Sequence, residues 1–407
     1  RDMALTDATM EAPAKTQSLE GQAVKLDNLY NYASGKVMPT ANLRMRKTAD
    51  AIANLNVAGK LGGAVFASVF GDKPMMEAVS HMNDLPAMKR WATELSLLNP
   101  ANKADRALLR QQGLMLDGVR SGLQRFYEGL GGSSLTGRLA NAVMRVTGMQ
   151  AINDIRKGAF GMSLMNAIGE QVKAGVDFAK LQDSDVRTLR NYGITEADWN
   201  VWKLAQLEDY GKGNDAMLTP EAISRIPDEA LKAFGEPEEV RRQAIVKLLG
   251  AVNSESSFAI GPAGYRERAA FYADLQRGTV KGEIVRSILQ FKAFPWAQFQ
   301  RGMDAVANQN TVPSKFVMGS YLIIATTMAG AMLMQTREVL TGKDPRKMAD
   351  DDWLKFWGAA LVSGGALGIY GDFLYGANQN RYGSGILETL AGPTIGPAAS
   401  MVLVNPM

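Results

Sequence analysis

Apolar residues recur at spacings of three and four along most of the chain, as they do between residues 108 and 123. This spacing places apolar side chains on one face of an α-helix. Alternation of the kind found in strands, bounded by hairpin turns, is nearly absent. The pattern predicts an all-α fold. We expect an elongated multi-helix assembly whose C-terminal helices are apolar and rich in glycine.

Several helix starts carry explicit signals. Thr219, Pro220 and Glu221 give an N-cap, a first-turn proline and a first-turn acid in succession. Thr195 and Asp198 have the three-residue spacing of a capping box, in which each residue satisfies a backbone N–H of the other. These signals predict a compact module of short, firmly capped helices over residues 181–250.

The chain divides into four parts by sequence character. We expect an N-terminal helical region over 1–100, a basic helical region over 101–180, the capped-helix module over 181–250 and an apolar helical region over 251–407. Because the chain starts with Arg1 and stops on apolar residues, we also expect it to be a segment of a longer polypeptide.

Charge becomes scarce toward the C-terminal end. Residues 311–407 contain 14 charged residues in 97, against 72 in the preceding 310. The 21 residues from Phe316 to Thr336 carry no charge. As a helix they would be about 30 Å long, which matches the hydrocarbon core of a bilayer.

This apolar run has two interpretations: it inserts in a membrane, or it is buried against partner helices in a large assembly. The slightly negative mean hydropathy of the chain, −0.12, favours conditional insertion over permanent residence. Small residues in the run would permit close helix–helix approach in either setting. The candidate membrane or partner residues are Phe316, Gly319, Leu322, Ala325, Ala329, Gly330 and Leu333.

Most catalytic and metal chemistry finds no support in the sequence. The chain has no cysteine, which excludes disulfides and thiolate sites, and its single histidine, His81, excludes a two-histidine zinc site. A murein-cleaving enzyme would need a glutamate with a raised pKa in an apolar cleft, and Glu283 and Glu388 have apolar neighbours. Structural roles are favoured for both, so we predict no catalytic residue and no cofactor.

The positive charge is concentrated in one region. Residues 101–160 contain nine lysines and arginines and four acids, although the whole chain has a net charge of only +4. Arginine predominates there, which suits phosphate recognition or ion pairs between subunits. Ordinary solvated helix faces are the alternative. The candidate contacts to DNA or to a neighbouring subunit are Arg106, Arg110, Arg120, Arg125, Arg138 and Arg145.

An aromatic cluster surrounds Pro295. It comprises Phe291, Phe294, Trp296 and Phe299. A proline inside a helix kinks or ends it, so we predict a helix break at this position. Core packing is the usual role of such a cluster, and a pivot between two helix orientations is the second interpretation.

The order of several motifs resembles the C-terminal portion of the large internal virion, or ejection, proteins of tailed bacteriophages and prophages. The resemblance covers roughly residues 140–400, and each motif is weak when taken singly. The motifs are Thr147–Gln150, Asn153–Arg156, Tyr192–Trp199, Gly278-Thr279, Gly282-Glu283, Arg286, Gln290–Pro295, Met334-Gln335, Thr341–Arg346, Phe356–Leu361, Gly364-Gly365, Gly368–Phe373 and Leu387–Pro393.

The resemblance implies a structural delivery protein that is carried inside the capsid and enters the host cell envelope on infection. Members of such families sit above the portal, leave before the genome and form a conduit with partner proteins. The implied partners are further copies of the chain, other internal virion proteins, the portal, non-specifically bound double-stranded phage DNA and the host inner membrane. Some members carry a murein-cleaving domain elsewhere. A virion-associated murein-cleaving enzyme and a static virion core scaffold are the alternatives.

Overall fold

The computed structural model describes most of the chain between residues 21 and 364, in some helical stretches through the backbone alone. The described residues are 21, 23–32, 34, 39–60, 71–83, 85–99, 102, 103, 106, 107, 109, 134–146, 148–181, 189–210, 216–261, 264–272, 275–290, 293–340, 342–349 and 353–364.

The fold is all-α, which confirms the prediction from apolar spacing. Within the described ranges the backbone forms no strand, and one isolated antiparallel bridge joins Glu208 to Met217. The helices are α1 (Leu43–Lys60), α2 (Lys73–Met82), α3 (Ala87–Leu98), α4 (Leu135–Val146), α5 (Met149–Lys173), α6 (Glu196–Trp202), α7 (Pro220–Ser224), α8 (Asp228–Leu231), α9 (Pro237–Ile260), α10 (Tyr265–Tyr272), α11 (Val280–Leu289), α12 (Ala293–Ala307), α13 (Val312–Leu340) and α14 (Trp353–Ser363).

Helix α5 lies at the centre of the main core, packed between α3 and α9. Trp199 and Trp202 of α6 are almost fully buried in this core, and the indole nitrogen of Trp199 donates to the Val176 carbonyl at 2.9 Å. The same hydrophobic cluster includes Met76, Leu109, Leu248 and Ile260. These residues come from all four parts of the chain that sequence character distinguishes, so the four parts share one core.

The short helices around this core have the caps that the sequence predicts. The backbone N–H of Thr195 donates to Asp198 Oδ2 at 2.8 Å, and Thr195 Oγ1 accepts from the Asp198 N–H, which completes the capping box. Thr219 Oγ1 accepts from the Ala222 N–H at 3.0 Å at the start of α7. Both bonds satisfy first-turn N–H groups that have no partner inside the helix.

A second cluster lies between α2, α12 and α13. It contains Met75, Ala78, Ala305, Met318 and Leu322. Helix α2 also contacts α9 of the main core, so this one helix joins the core to the C-terminal helices.

The helix break near Pro295 lies a few residues earlier than the sequence predicts. Helix α11 ends at Leu289 and α12 begins at Ala293, which makes Pro295 part of the first turn of α12. A proline fits there because the first N–H groups of a helix have no intrahelical acceptor. Pro295 therefore belongs to the start of a helix and does not kink or end one.

Candidate functional site: the α13–α14 hairpin

Helix α13 runs unbroken through the whole uncharged segment. Among the described residues it is the one helix long and apolar enough to cross a membrane. Its 29 residues correspond to a length of about 43 Å. Only 28% of its most apolar 18-residue window is buried within the protein. A core helix of this length and composition would be covered on most sides, so the exposure of α13 calls for an explanation.

One side of α13 presents large apolar side chains to the surroundings. Phe316 is 76% exposed and Ile324 is 63% exposed. We call this surface the apolar face; its members are Phe316, Val317, Ile323, Ile324, Met328 and Met332. Single exposed apolar residues are common on soluble proteins, but a contiguous set marks a surface that meets a partner or lipid.

The residues predicted for this helix divide between its two sides. Phe316 lies on the apolar face, and Gly319 and Ala325 are half-buried. The remaining four, which are Leu322, Ala329, Gly330 and Leu333, are buried against the rest of the protein.

On its inner side α13 meets α14 at backbone contact. A β-carbon on Gly330 would overlap the carbonyl oxygen of Ala360, and one on Gly364 would overlap the carbonyl oxygen of Thr326. Only glycine leaves room for such an approach. Beyond the crossing, Ala331, Phe356 and Ala360 form a small apolar cluster. The two helices therefore form a tight hairpin that needs no polar side chain at its contact.

Two threonines in the middle of α13 form hydrogen bonds to the preceding turn of the same helix. Thr326 Oγ1 donates to the Leu322 carbonyl at 2.5 Å, and Thr327 Oγ1 donates to the Ile323 carbonyl at 2.6 Å. Such bonds to the preceding turn let a hydroxyl sit in apolar surroundings without losing its partner. Both hydroxyl groups therefore have a hydrogen-bond acceptor within α13, Thr326 on its buried side and Thr327 nearer the apolar face.

A polar clamp closes the C-terminal end of α13. The side-chain amide of Gln335 donates to the Arg346 carbonyl and accepts from the Arg346 N–H, both at 2.7 Å. The guanidinium of Arg346 also donates to Glu338. Gln335 and Arg346 both belong to the motifs that carry the resemblance. The clamp holds the loop that leads from α13 toward α14.

A buried ion network joins α11 and the turn before it to α1. Arg277 pairs with Asp50 and with Glu283, and the Glu283 carboxylate also accepts from the Gly278 N–H at 2.7 Å. Burial raises the pKa of Asp50, and the Arg277 guanidinium opposes that shift. Gln290 extends the link by donating to the Ala53 carbonyl at 3.0 Å.

This network defines what the motif residues of α11 do in the fold. Glu283 was a candidate catalytic acid, but its carboxylate is buried and bonded to Arg277 and Gly278. Arg286 is also buried, with its guanidinium 4.7 Å from the ring centre of Tyr272. The other candidate acid, Glu388, lies outside the described residues.

The basic region is only partly described. Arg106 donates through Nε and Nη2 to the Leu97 carbonyl at 3.1 and 2.7 Å, which caps the end of α3. Arg138 is exposed on α4. Arg110, Arg120, Arg125 and the side chain of Arg145 lie outside the described residues.

Two basic residues that composition alone would place on a solvated surface are buried. Arg156 pairs with Glu94, with Nε and Oε1 3.2 Å apart, and Lys157 is buried beside it. Both residues lie on the long central helix α5, where Arg156 faces Glu94 of α3. The sequence around Arg156 and Lys157 does not indicate that they are buried.

Part of the aromatic cluster falls within the described residues. The rings of Trp296 and Phe299 stack with centroids 5.8 Å apart. Phe291 and the side chains of Phe294 and Pro295 lie outside the described residues. Elsewhere in the described part of the chain, no group of three or more histidines and acids is placed to hold a metal ion.

Comparisons with protein-family models, curated proteins and solved structures give no match to this chain.

Proposed function

We propose that the chain is a structural delivery protein of a bacteriophage particle, which oligomerises into part of a conduit for the genome across the host cell envelope. In this proposal the α13–α14 hairpin is the element that meets the inner membrane or the neighbouring subunit. The protein travels inside the capsid and reaches the envelope on infection. The motif resemblance motivates the biological role, and the geometry of the hairpin motivates the contact surface.

One observation carries the proposal: an apolar helix about 43 Å long is exposed on one side and fixed by glycine contacts on the other. Covering one large apolar side chain stabilises a complex by about 1.5–3 kcal/mol. The apolar face has several such side chains side by side. A surface of this kind is stable in lipid or against another apolar helix, and much less so in water.

The direct test is binding to lipid vesicles. We expect the purified protein to float with phosphatidylcholine–phosphatidylglycerol vesicles in a density gradient. The double variant Phe316→Lys/Ile324→Lys should lose most of this flotation. Val246→Lys provides the control, because Val246 is an equally exposed apolar residue on α9.

Flotation that is equal for both variants would rule out the hairpin as the membrane contact. The biological role has a separate test in infected cells. We expect the protein in the envelope fraction after adsorption. Recovery only from the cytosol, together with normal genome entry by phage that lack the protein, would contradict the delivery role.

A further inference from the structure

A cavity of about 400 Å³ lies between α2, α12, α13 and α14. Its walls are almost entirely apolar, formed among others by Met75, Phe299, Leu322 and Leu361. Small-molecule sites in proteins have volumes of about 300–1,000 Å³ and mostly apolar walls with a few polar groups. The size and lining of this cavity fall within that range.

Gln298 is the one amide side chain among the residues that line this cavity. It is 7% exposed, and neither its amide nitrogen nor its amide oxygen has a hydrogen-bond partner among the described residues. A buried amide without partners is costly, and native proteins rarely keep one without a reason. Rotation of this long side chain toward the cavity would let the amide both donate to and accept from a bound molecule.

The cavity opens beside the apolar face. Ile323 and Met303 are the most exposed residues of its lining, each at 57%. Ile323 is also a member of the apolar face, so the mouth and that face are continuous. A ligand that enters here passes over an apolar surface and not through a ring of charges.

We propose that this cavity binds a single fatty acyl chain, with the carbonyl group at its head bonded to Gln298. The hydrocarbon tail matches the apolar walls, which offer water few hydrogen-bond partners. The carbonyl oxygen of a fatty acid or of its ester accepts a hydrogen bond from the Gln298 amide nitrogen, and a protonated acid also donates to the amide oxygen. The proposal does not require the delivery role, since a soluble protein would take the same chain as a free fatty acid.

Gly319 lines the cavity, and a larger side chain at this position would fill part of it. A β-carbon on Gly319 would have Val306 Cγ2 at 3.9 Å as its nearest neighbour, which leaves open space. Gly319→Leu therefore places a side chain in the cavity without a backbone clash. Gly250→Leu is the matched control, because Gly250 lies in the interior of α9 and has no atom within 4 Å of an added β-carbon.

The experiment titrates the delipidated full chain with 9,10-dibromostearate and follows quenching of tryptophan fluorescence. Trp296 stacks on Phe299 of the cavity wall and is the expected reporter. We expect saturable 1:1 quenching that unbrominated stearate reverses. Gly319→Leu should weaken binding at least tenfold, Gln298→Leu about three- to tenfold, and Gly250→Leu should leave it unchanged.

A second variant and a second lipid source complete the experiment. Met303→Tyr narrows the mouth at an exposed position without adding a tryptophan, and it replaces Gly319→Leu if that variant lacks the helical circular dichroism of the wild type. Vesicles of brominated phosphatidylcholine test whether the chain also comes from a membrane lipid. Quenching by these vesicles supports the proposal where Gly319→Leu abolishes it, because contact of the apolar face alone with the bilayer would quench the wild type and Gly319→Leu equally. Absence of saturable quenching, or equal quenching in the filled and control variants, overturns it.

Discussion

The carbonyl oxygen of Thr326 occupies the space in which a β-carbon of Gly364 would stand. Gly330 has the same relationship with the carbonyl oxygen of Ala360. The two contacts are reciprocal: Gly330 of α13 lies against a carbonyl of α14, and Gly364, the residue after α14, lies against a carbonyl of α13. The distance between α13 and α14 is therefore set by backbone atoms, and a single methyl group must push the helices apart.

We expect Gly364→Ala and Gly330→Ala each to lower the free energy of unfolding by about 1–3 kcal/mol, the usual cost of an added group in a packed contact. Urea denaturation followed by circular dichroism measures the change. The control Gly250→Ala should raise stability by about 0.5–1 kcal/mol, since alanine loses less entropy than glycine in an open helix position. Equal effects at all three positions would contradict the tight crossing.

Replacement of Arg277 should be strongly destabilising. Arg277→Leu leaves the carboxylates of Asp50 and Glu283 without their shared cation, and removal of one partner of a buried ion pair costs about 3–5 kcal/mol. Urea denaturation again provides the measurement. Arg242→Leu is the comparison: its pair with Glu239 is exposed, and exposed pairs contribute little to stability. A loss below 1 kcal/mol for Arg277→Leu would show that the network does not stabilise the fold.

Glu255 should make stability depend on pH. Burial raises the pKa of Glu255, against hydrogen bonds donated by Tyr192 at 2.6 Å and Asn83 at 3.0 Å. The folded chain then keeps a proton that the unfolded chain releases near the ordinary pKa of glutamate, about 4.3. The contribution of this group to stability is thus fully present below the unfolded pKa and is lost as pH rises through the folded one.

We expect Glu255→Gln to flatten the decrease in melting temperature between pH 4 and the folded pKa, because glutamine does not titrate. Glu229→Gln, on the exposed surface of α8, is the matched control for the chemical change itself. Identical profiles for wild type and Glu255→Gln would mean that another group controls this pH range.

The proposed contact with DNA can be tested at Arg138. If α4 lines a DNA path, Arg138→Gln should lower affinity for random double-stranded DNA and reduce the slope of log K against log salt by about 1. Arg106→Gln should instead act on stability, because its guanidinium is bonded to the Leu97 carbonyl. Fluorescence anisotropy of labelled DNA across a salt series measures the affinity and the salt slope of each variant. An unchanged salt slope for Arg138→Gln would remove this residue from the interface.

Local signals in the sequence predicted local structure well. The capping box at Thr195 and the cap at Thr219 depend on bonds between residues three apart, and both form as predicted. The uncharged run from Phe316 to Thr336 lies within one helix, since its composition leaves no break signal. In each case the residues that determine the local structure lie within a few helical turns of it.

Contacts between residues that lie far apart along the chain could not be predicted from the sequence. Arg277 and Asp50 are 227 positions apart, and nothing near either residue identifies the other. For the same reason the burial of Arg156, which depends on Glu94, was not predicted from a count of charges. The cavity around Gln298 is a third example, because it exists only where four helices meet.

Helix α2 has a different neighbour on each of its two sides. Met76 and Val79 belong to the main core, whereas Met75 and Ala78 pack with α12 and α13. If α13 moved into lipid, Met75 and Ala78 would lose the contacts that Met318 and Leu322 provide, while Met76 and Val79 stayed covered. The departure of α13 would therefore leave an apolar surface on α2 and α12 that favours docking of another apolar segment.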